Sequence, residues 1–395
     1  MARYLIRQAV LSLVKLFLFA TMMFLFIQLL IPGDWVDQFS LFLSGEQEEA
    51  LRAELGLDLP IWERYLDWLR KLITLDLGNS FTGERIADVL NAVIPPTLFV
   101  FVIGTVLAFL IGMWLGKRTA WWGSGFLSSL TTLGGITLFT SFPPWLAFLM
   151  TYFLAGGRNF VVMGERGGLR TVGFRGLNVD LWRQVEASPS AILFRMFLTL
   201  VAVTVVMLIV SHLFTRSTRR RIPGLVVLLL IVAGTAGTWV LLGIADLALD
   251  ILKQAWLPIL TYTLLSFGET MLIMQSSMTE VLKEEYVNTA HAKGLPASTV
   301  REKHAVRNAL LPVLSRLVIS MPYLVTGVVI IESAVGWPGM GTAMWNALYW
   351  QNMPVVMAVV LIVGVLSLVA RLLLDVLIAY LDPRIRYDFH EPSLA

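Results

Sequence analysis

Eight stretches of this chain are long and apolar enough to cross a bilayer, and that pattern excludes most folds before any motif is read. A spanning helix needs about 20 mostly apolar residues, because a rise of about 1.5 Å per residue must cover about 30 Å of hydrocarbon. The candidates are residues 9–31, 94–116, 126–154, 191–214, 223–245, 255–278, 313–335 and 354–379. Lipid offers no hydrogen bonds, so a lone apolar run of this length must satisfy its own backbone as a helix. The sequence therefore predicts an all-α polytopic membrane protein with about eight transmembrane helices. Composition agrees: 57% of residues are hydrophobic and 14% charged, against about 45–50% and 25% in soluble domains. The first run follows Arg3 and Arg7. It is too long for the apolar core of a signal peptide and no small-x-small cleavage pattern follows, which predicts a retained span.

Net charge is +3, yet no basic run is interleaved with aromatics, so nucleic acid is not indicated as a partner. The excess is better explained by cytoplasmic loops. With the N-terminus cytoplasmic, Arg3 and Arg7, Lys117 and Arg118, Arg216 with Arg219–Arg221, the bases between residues 279 and 312, and Arg384 with Arg386 all fall inside. The short outside loops are nearly free of them: 246–254 has only Lys253, and 336–353 has none. Eight spans then leave both termini in the cytoplasm of a multi-pass cell-membrane protein. There is no cysteine, which removes disulfides, Cys-ligated zinc and thiol nucleophiles together. His212, His291, His304 and His390 have no metal-ligand spacing. GxxxxGK[ST] and GxSxG are also missing, so the chain reads as a non-enzyme that binds neither nucleotide, metal nor cofactor itself.

The resulting organisation is an N-terminal span at 1–31, an external helical segment at 32–93, core spans at 94–155, an external loop and a further pair of spans at 156–254, a second core part at 255–388 and a tail at 389–395. Within 32–93, "EQEEALRAELG" (Glu46 to Gly56) has helical spacing and a glycine stop. "PIWERYLDWLRKLI" puts Ile61, Tyr65, Trp68, Leu69 and Leu72 on one helical face. That face suits either the membrane surface or packing as a cap on the bundle.

Between the sixth and seventh spans the chain turns polar for an unusual length. Residues 279–312 far exceed the 2–8 residues that connect neighbouring helices at minimum. Glu284 to Lys293 favours a helix, Gly294 and Pro296 end it, and Thr299 with Glu302 predicts a capping box that opens a second helix. From the residues alone, this is either a solvated hairpin or an element for docking a soluble partner.

Its wording carries a resemblance. "YVNTAHAKGL" (Tyr286 to Leu295) resembles the cytoplasmic EAA-loop motif of ABC importer permeases, in the branch that moves peptides, nickel and some oligosaccharides. The similarity continues in "HAVRNALLP" (His304 to Pro312), "ESAVGWPGMG" (Glu332 to Gly341) and "LDPRIRY" (Leu381 to Tyr387), and upstream in "LGLDLP", "LDLGNS" and "PPTL" (Pro95 to Leu98). The resemblance implies a type I permease bundle of six core spans, to which the pair within 156–254 is an insertion. It implies a second homologous permease, two cytoplasmic ATPase subunits that bind ATP and Mg, an external solute-binding protein and the lipid bilayer as partners. It also implies that Tyr286, Ala290, His291, Ala292, Lys293, Gly294, Leu295 and Pro296 meet the ATPase, with Arg301, His304 and Arg307 in support. The small Ala290 and Ala292 would let the helix lie deep in a groove, and Gly294 permits a tight turn.

Two departures stand out. His291 replaces the arginine that this branch usually places before A-K-G-L, and "WQNMP" (Trp350 to Pro354) replaces R-D-x-P, removing two charges from the external mouth. Among ionisable residues within spans, which lipid makes costly, Glu269 suits either the pathway or a hydrogen bond to a neighbouring helix. Glu332, near the outer end of its span, suits contact with the binding protein or a cationic solute. The implied activity is ATP-driven import, most simply of peptides; nickel and oligosaccharides share the motifs. A self-sufficient channel or carrier and a signalling scaffold are the alternatives from other classes.

Overall fold

The computed structural model describes residues 2–30, 33–74, 76–123, 125–154, 177–183, 185–218 and 222–381. The helices are α1 (Ala2–Leu30), α2 (Gly45–Glu54), α3 (Ile61–Ile73), α4 (Ile86–Trp122), α5 (Phe126–Phe139), α6 (Pro143–Leu154), α7 (Val179–Trp182), α8 (Pro189–Thr218), α9 (Gly224–Leu241), α10 (Ala245–Val281), α11 (Glu285–Ala292), α12 (Ala297–Thr299), α13 (Val306–Val335), α14 (Met340–Tyr349) and α15 (Met353–Leu381). A 3₁₀ turn, Trp35–Phe39, precedes α2, and a π-helical turn, Val300–Ala305, leads into α13. Among the described residues the only β pairing is one isolated bridge, Asn79 with Arg85.

Every predicted span falls on helix, with one correction. Five helices (α4, α8, α9, α10 and α15) are long and apolar enough to cross a membrane, or six if the α5–α6 pair counts as one span. α1 and α13 are helices of 29 and 30 residues whose described apolar windows, Leu13–Leu29 and Thr326–Val335, are shorter. Eight is thus an approximate count. The stretch 126–154, expected as one continuous span, is instead two helices bent by 107°. Pro143 and Pro144 open α6; proline has no N–H to continue a helix and disfavours helical backbone in the residue before it.

The centre of the bundle is α10 lying along α4. Glycines set the closeness: a Cβ on Gly112 would sit 2.6 Å from the Phe267 carbonyl oxygen, and one on Gly116 2.6 Å from that of Met271. Lipid provides little apolar drive for helix association, so close van der Waals contact through small residues supplies much of it. α5 joins the same way, Gly268 of α10 facing the backbone of Gly135. One proline of α4 is visibly compensated. Pro96 cannot donate to the carbonyl of Ala92, and the Ser190 hydroxyl of α8 donates to that oxygen instead, at 2.7 Å.

Between α1 and α4, α2 starts with a capping box between Ser44 and Gln47. Arg52 ties it to Asp34 at 2.9 Å and to Asp37. α3 packs as a cap: Tyr65 and Trp68 lie 5.4 and 5.2 Å from Phe24 of α1, ring to ring, and the Tyr65 hydroxyl is 2.9 Å from that of Thr21. Of the loop expected from 156 to 190, residues 156–176 and 184 lie outside the described residues, and the remainder carries α7 and the start of α8.

Candidate functional site

α10 runs into a two-armed hairpin whose first arm is α11. Gly294, with φ of 75°, ends that arm. The Leu295 N–H reaches back to the Ala290 carbonyl at 3.4 Å, closing the helix as a left-handed glycine terminus does. Pro296 (φ −56°) then begins α12, and the Thr299 N–H donates to its carbonyl at 2.8 Å. The expected capping box at Thr299 does not form. Thr299 has helical backbone (φ −70°, ψ −43°) and makes no side-chain cap bond, whereas an N-cap needs extended backbone. Proline starts the helix earlier, and Glu302 is released for another role.

That role is a tie to α4. Glu302 accepts from Lys117 Nζ at 3.0 Å and from Arg301 Nε at 3.0 Å, and the Arg301 guanidinium lies over the Trp121 ring at 5.5 Å. Partial burial pushes the Glu302 carboxyl up, but Lys117 and Arg301 outweigh it and hold the group below its usual value. Val287, Ala290 and Val300 form a small core between the arms, flanked by Val281, Leu282 and Leu295. Each fully buried valine contributes about 1.5–3 kcal/mol, so the hairpin holds itself together.

The expected coupling residues divide accordingly. Ala292, Lys293, Gly294 and Pro296 are exposed at the tip, Leu295 is half-buried, and Arg307 is exposed on α13. Ala290 is buried between the arms, so its small size sets their separation. Tyr286 is 37% exposed, and its hydroxyl accepts from Asn308 Nδ2 at 2.8 Å, bracing one arm against the other. The side chains of His291 and His304 lie outside the described residues.

Glu332 is corrected from an external contact to an internal anchor. It is completely buried, accepts from the Gly341 N–H at 2.9 Å, and leaves no room for a side chain at Gly339. Thr97 of α4 accepts from the Met340 N–H at 2.8 Å, and the Trp337 indole donates to the Pro96 carbonyl at 3.2 Å. "ESAVGWPGMG" and "PPTL" thus meet in one buried knot. In "WQNMP", Asn352 donates to the Ser80 hydroxyl at 2.6 Å, joining α15 to "LDLGNS".

Glu269 accepts from Arg316 Nε of α13 at 2.8 Å, beside a narrow cavity shared by α4, α10 and α13. Sequence reading missed Arg316. A lone arginine three residues into an apolar run looks like a span boundary, and only the register of α13 against α10 reveals the pair. Lys117, likewise, reads only as a loop charge until α4 is seen to reach the hairpin.

Residues 218–387, which include the hairpin, match the model of the family described as binding-protein-dependent transport system inner membrane component. Over nearly its whole length the chain is similar to named permeases. A peptide permease protein of Brucella suis is 28% identical over 98% of this chain and 99% of that protein. The oligopeptide transport system permease protein of Bacillus subtilis is 26% identical over 98% of this chain and 100% of its own length. The glutathione transport system permease protein of Escherichia coli is also 26% identical, over 98% and 100%. With its all-helical, polytopic bundle, the chain is similar over nearly its whole length to permease components of transport systems, and its residues 218–387 carry the match to the inner-membrane-component family.

Proposed function

We propose that this chain is the transmembrane subunit of an ATP-driven importer of peptides handed over by an external binding protein, and that its hairpin tip is the handle of the ATPase. ATP and Mg are bound by two cytoplasmic partner subunits, and a second, related permease completes the pathway. Both termini and the hairpin are cytoplasmic, as the distribution of lysine and arginine supports. The relatives named for peptide, oligopeptide and glutathione transport support the solute class.

One observation carries this reading: the hairpin is internally packed yet leaves Ala292, Lys293, Gly294 and Pro296 exposed at its end. Small residues and a left-handed glycine make a blunt, narrow tip that fits into a groove on another protein. Alternating access is a shift between two packings, and a partner drives it only by binding one packing better than the other. The tip is where that difference is felt, and Glu302 with Lys117 passes it to α4 while the continuous chain passes it to α10 and α13.

The test is Gly294→Trp. No atom lies within 4 Å of a Cβ placed at Gly294, so a side chain there leaves the backbone into open space; the left-handed backbone adds a cost of about 1–2 kcal/mol. Membrane insertion is expected at the wild-type level, with peptide uptake and peptide-stimulated ATP hydrolysis by the assembled transporter at background. Gly294→Asn, which tolerates the same backbone, is expected to retain both. Normal uptake by the tryptophan variant would overturn the assignment.

A further inference from the structure

We infer that Arg316, held side-on by Glu269, receives a carboxylate of the transported solute as it passes through the membrane-spanning part of the permease. The inference rests on the peptide-import reading and deepens it by naming a residue that reads the solute.

The pair lies inside the bundle. Glu269 is twelve residues before the end of α10 at Val281, about 18 Å along the helix. The Arg316 side chain is nevertheless 54% exposed, while that of Glu269 is 16% exposed. A guanidinium at such depth is costly against lipid tails, so the face it presents is one that meets water, solute or another polar surface. Its neighbours agree. The cavity beside it carries the hydroxyls of Thr105, Ser266, Thr270 and Ser320, contributed by all three helices. On α10, Ser266 and Glu269 are three residues apart, and on α13 Arg316 and Ser320 are four apart, so each pair shares one helical face.

The hydrogen bonding defines what the site would take. Glu269 engages Nε, one edge of a planar group with five donors. Among the described residues neither Nη group has a protein acceptor, which leaves the outer edge of the fork available. Two parallel N–H groups match the two oxygens of a carboxylate, the group every free peptide carries at its C-terminus. Glu269 fixes the guanidinium plane and offsets its charge, so that the solute is recognised without being trapped.

The complete transporter, reconstituted in proteoliposomes, should be tested with a tripeptide and its C-terminal amide. Each is supplied already bound to the binding protein at a saturating concentration. R316Q is expected to lower uptake of the acid at least tenfold more than uptake of the amide, and R316K, which keeps the charge but not the paired donors, to restore only part of the preference. The double variant R316Q/E269Q, which leaves no unpaired carboxylate, is expected to show the same selective loss. Equal slowing of both peptides, or of neither, in R316Q or the double variant would overturn the inference. So would loss of the partner permease on purification of R316Q but not R316K, since the guanidinium would then be a contact between subunits. If the wild-type transporter takes up neither peptide, the peptide reading fails first, and this inference with it.

Discussion

At the scale of single residues, Glu302 shows how one side chain can serve a different purpose from the one its spacing suggests. Its place three after Thr299 reads as a cap, but it ties the hairpin to Lys117 and Arg301. The carboxyl is 45% exposed, so each bridge contributes only about 0.2–1 kcal/mol to stability, less at high salt. Its folded value is depressed, so this contribution is present above the usual carboxylate range, about 4, and is lost as pH falls through the folded value. Hydrogen exchange should therefore find the hairpin amides less protected on acidification in the wild type. Glu302→Gln should start less protected and change less over the same range; an unchanged wild-type hairpin would exclude the tie. Glycine and proline made Gly294 and Pro296 legible, because each dictates backbone by itself. Glu302 was not, because its partner lies 185 residues away.

At the scale of elements, hydropathy locates apolar helices well but says little about which helices touch. α9 and α10 both read as spans, yet 6% of the apolar window of α9 is buried in the protein against 61% of that of α10. The difference comes from Gly112 and Gly116 of α4 and Gly135 of α5, which let α10 come close. Gly268→Leu would drive a side chain into the Gly135 backbone, 2.4 Å from where its Cβ would sit. A loss of about 1–3 kcal/mol is expected, seen as a lower thermal midpoint of tryptophan fluorescence in detergent. Gly134→Leu, next to Gly135 but with no atom within 4 Å of its Cβ, should leave the midpoint unchanged. The bend between α5 and α6 was legible in Pro143 and Pro144. The apolar run continues through both prolines, and hydropathy alone therefore reads 126–154 as one span.

At the scale of the whole molecule, the α8–α9 pair is attached at one end. Ile192, Leu193 and Met196 are buried in the main core, and Trp239 Nε1 donates to the Thr199 hydroxyl at 2.9 Å, which brings the two helices back together. Beyond that clasp the pair makes little contact with the rest. Replacing residues 200–238 by a short linker is expected to leave a chain that inserts and purifies as a single species with its thermal midpoint nearly unchanged. A reporter placed at Arg220 of the intact chain should read cytoplasmic if the pair crosses the membrane twice, and an external reading would refute that topology. The motifs, by contrast, mark the joints: "PPTL" meets "ESAVGWPGMG" through Thr97 and Glu332, and "LDLGNS" meets "WQNMP" through Ser80 and Asn352. The quoted words could be recognised in the sequence, but their pairing is a property of the folded bundle.

The π-helical turn Val300–Ala305 gives the second arm of the hairpin one residue of slack. A π turn holds more chain than the α turns that follow it, and handing the surplus one place along would turn the helix beyond it by about 100° and advance it by about 1.5 Å. α13 follows this turn without interruption, and ten residues into it stands Arg316. A tug at the tip would then be felt as rotation of a helix in the bundle, with the arm working as a screw in place of a push-rod.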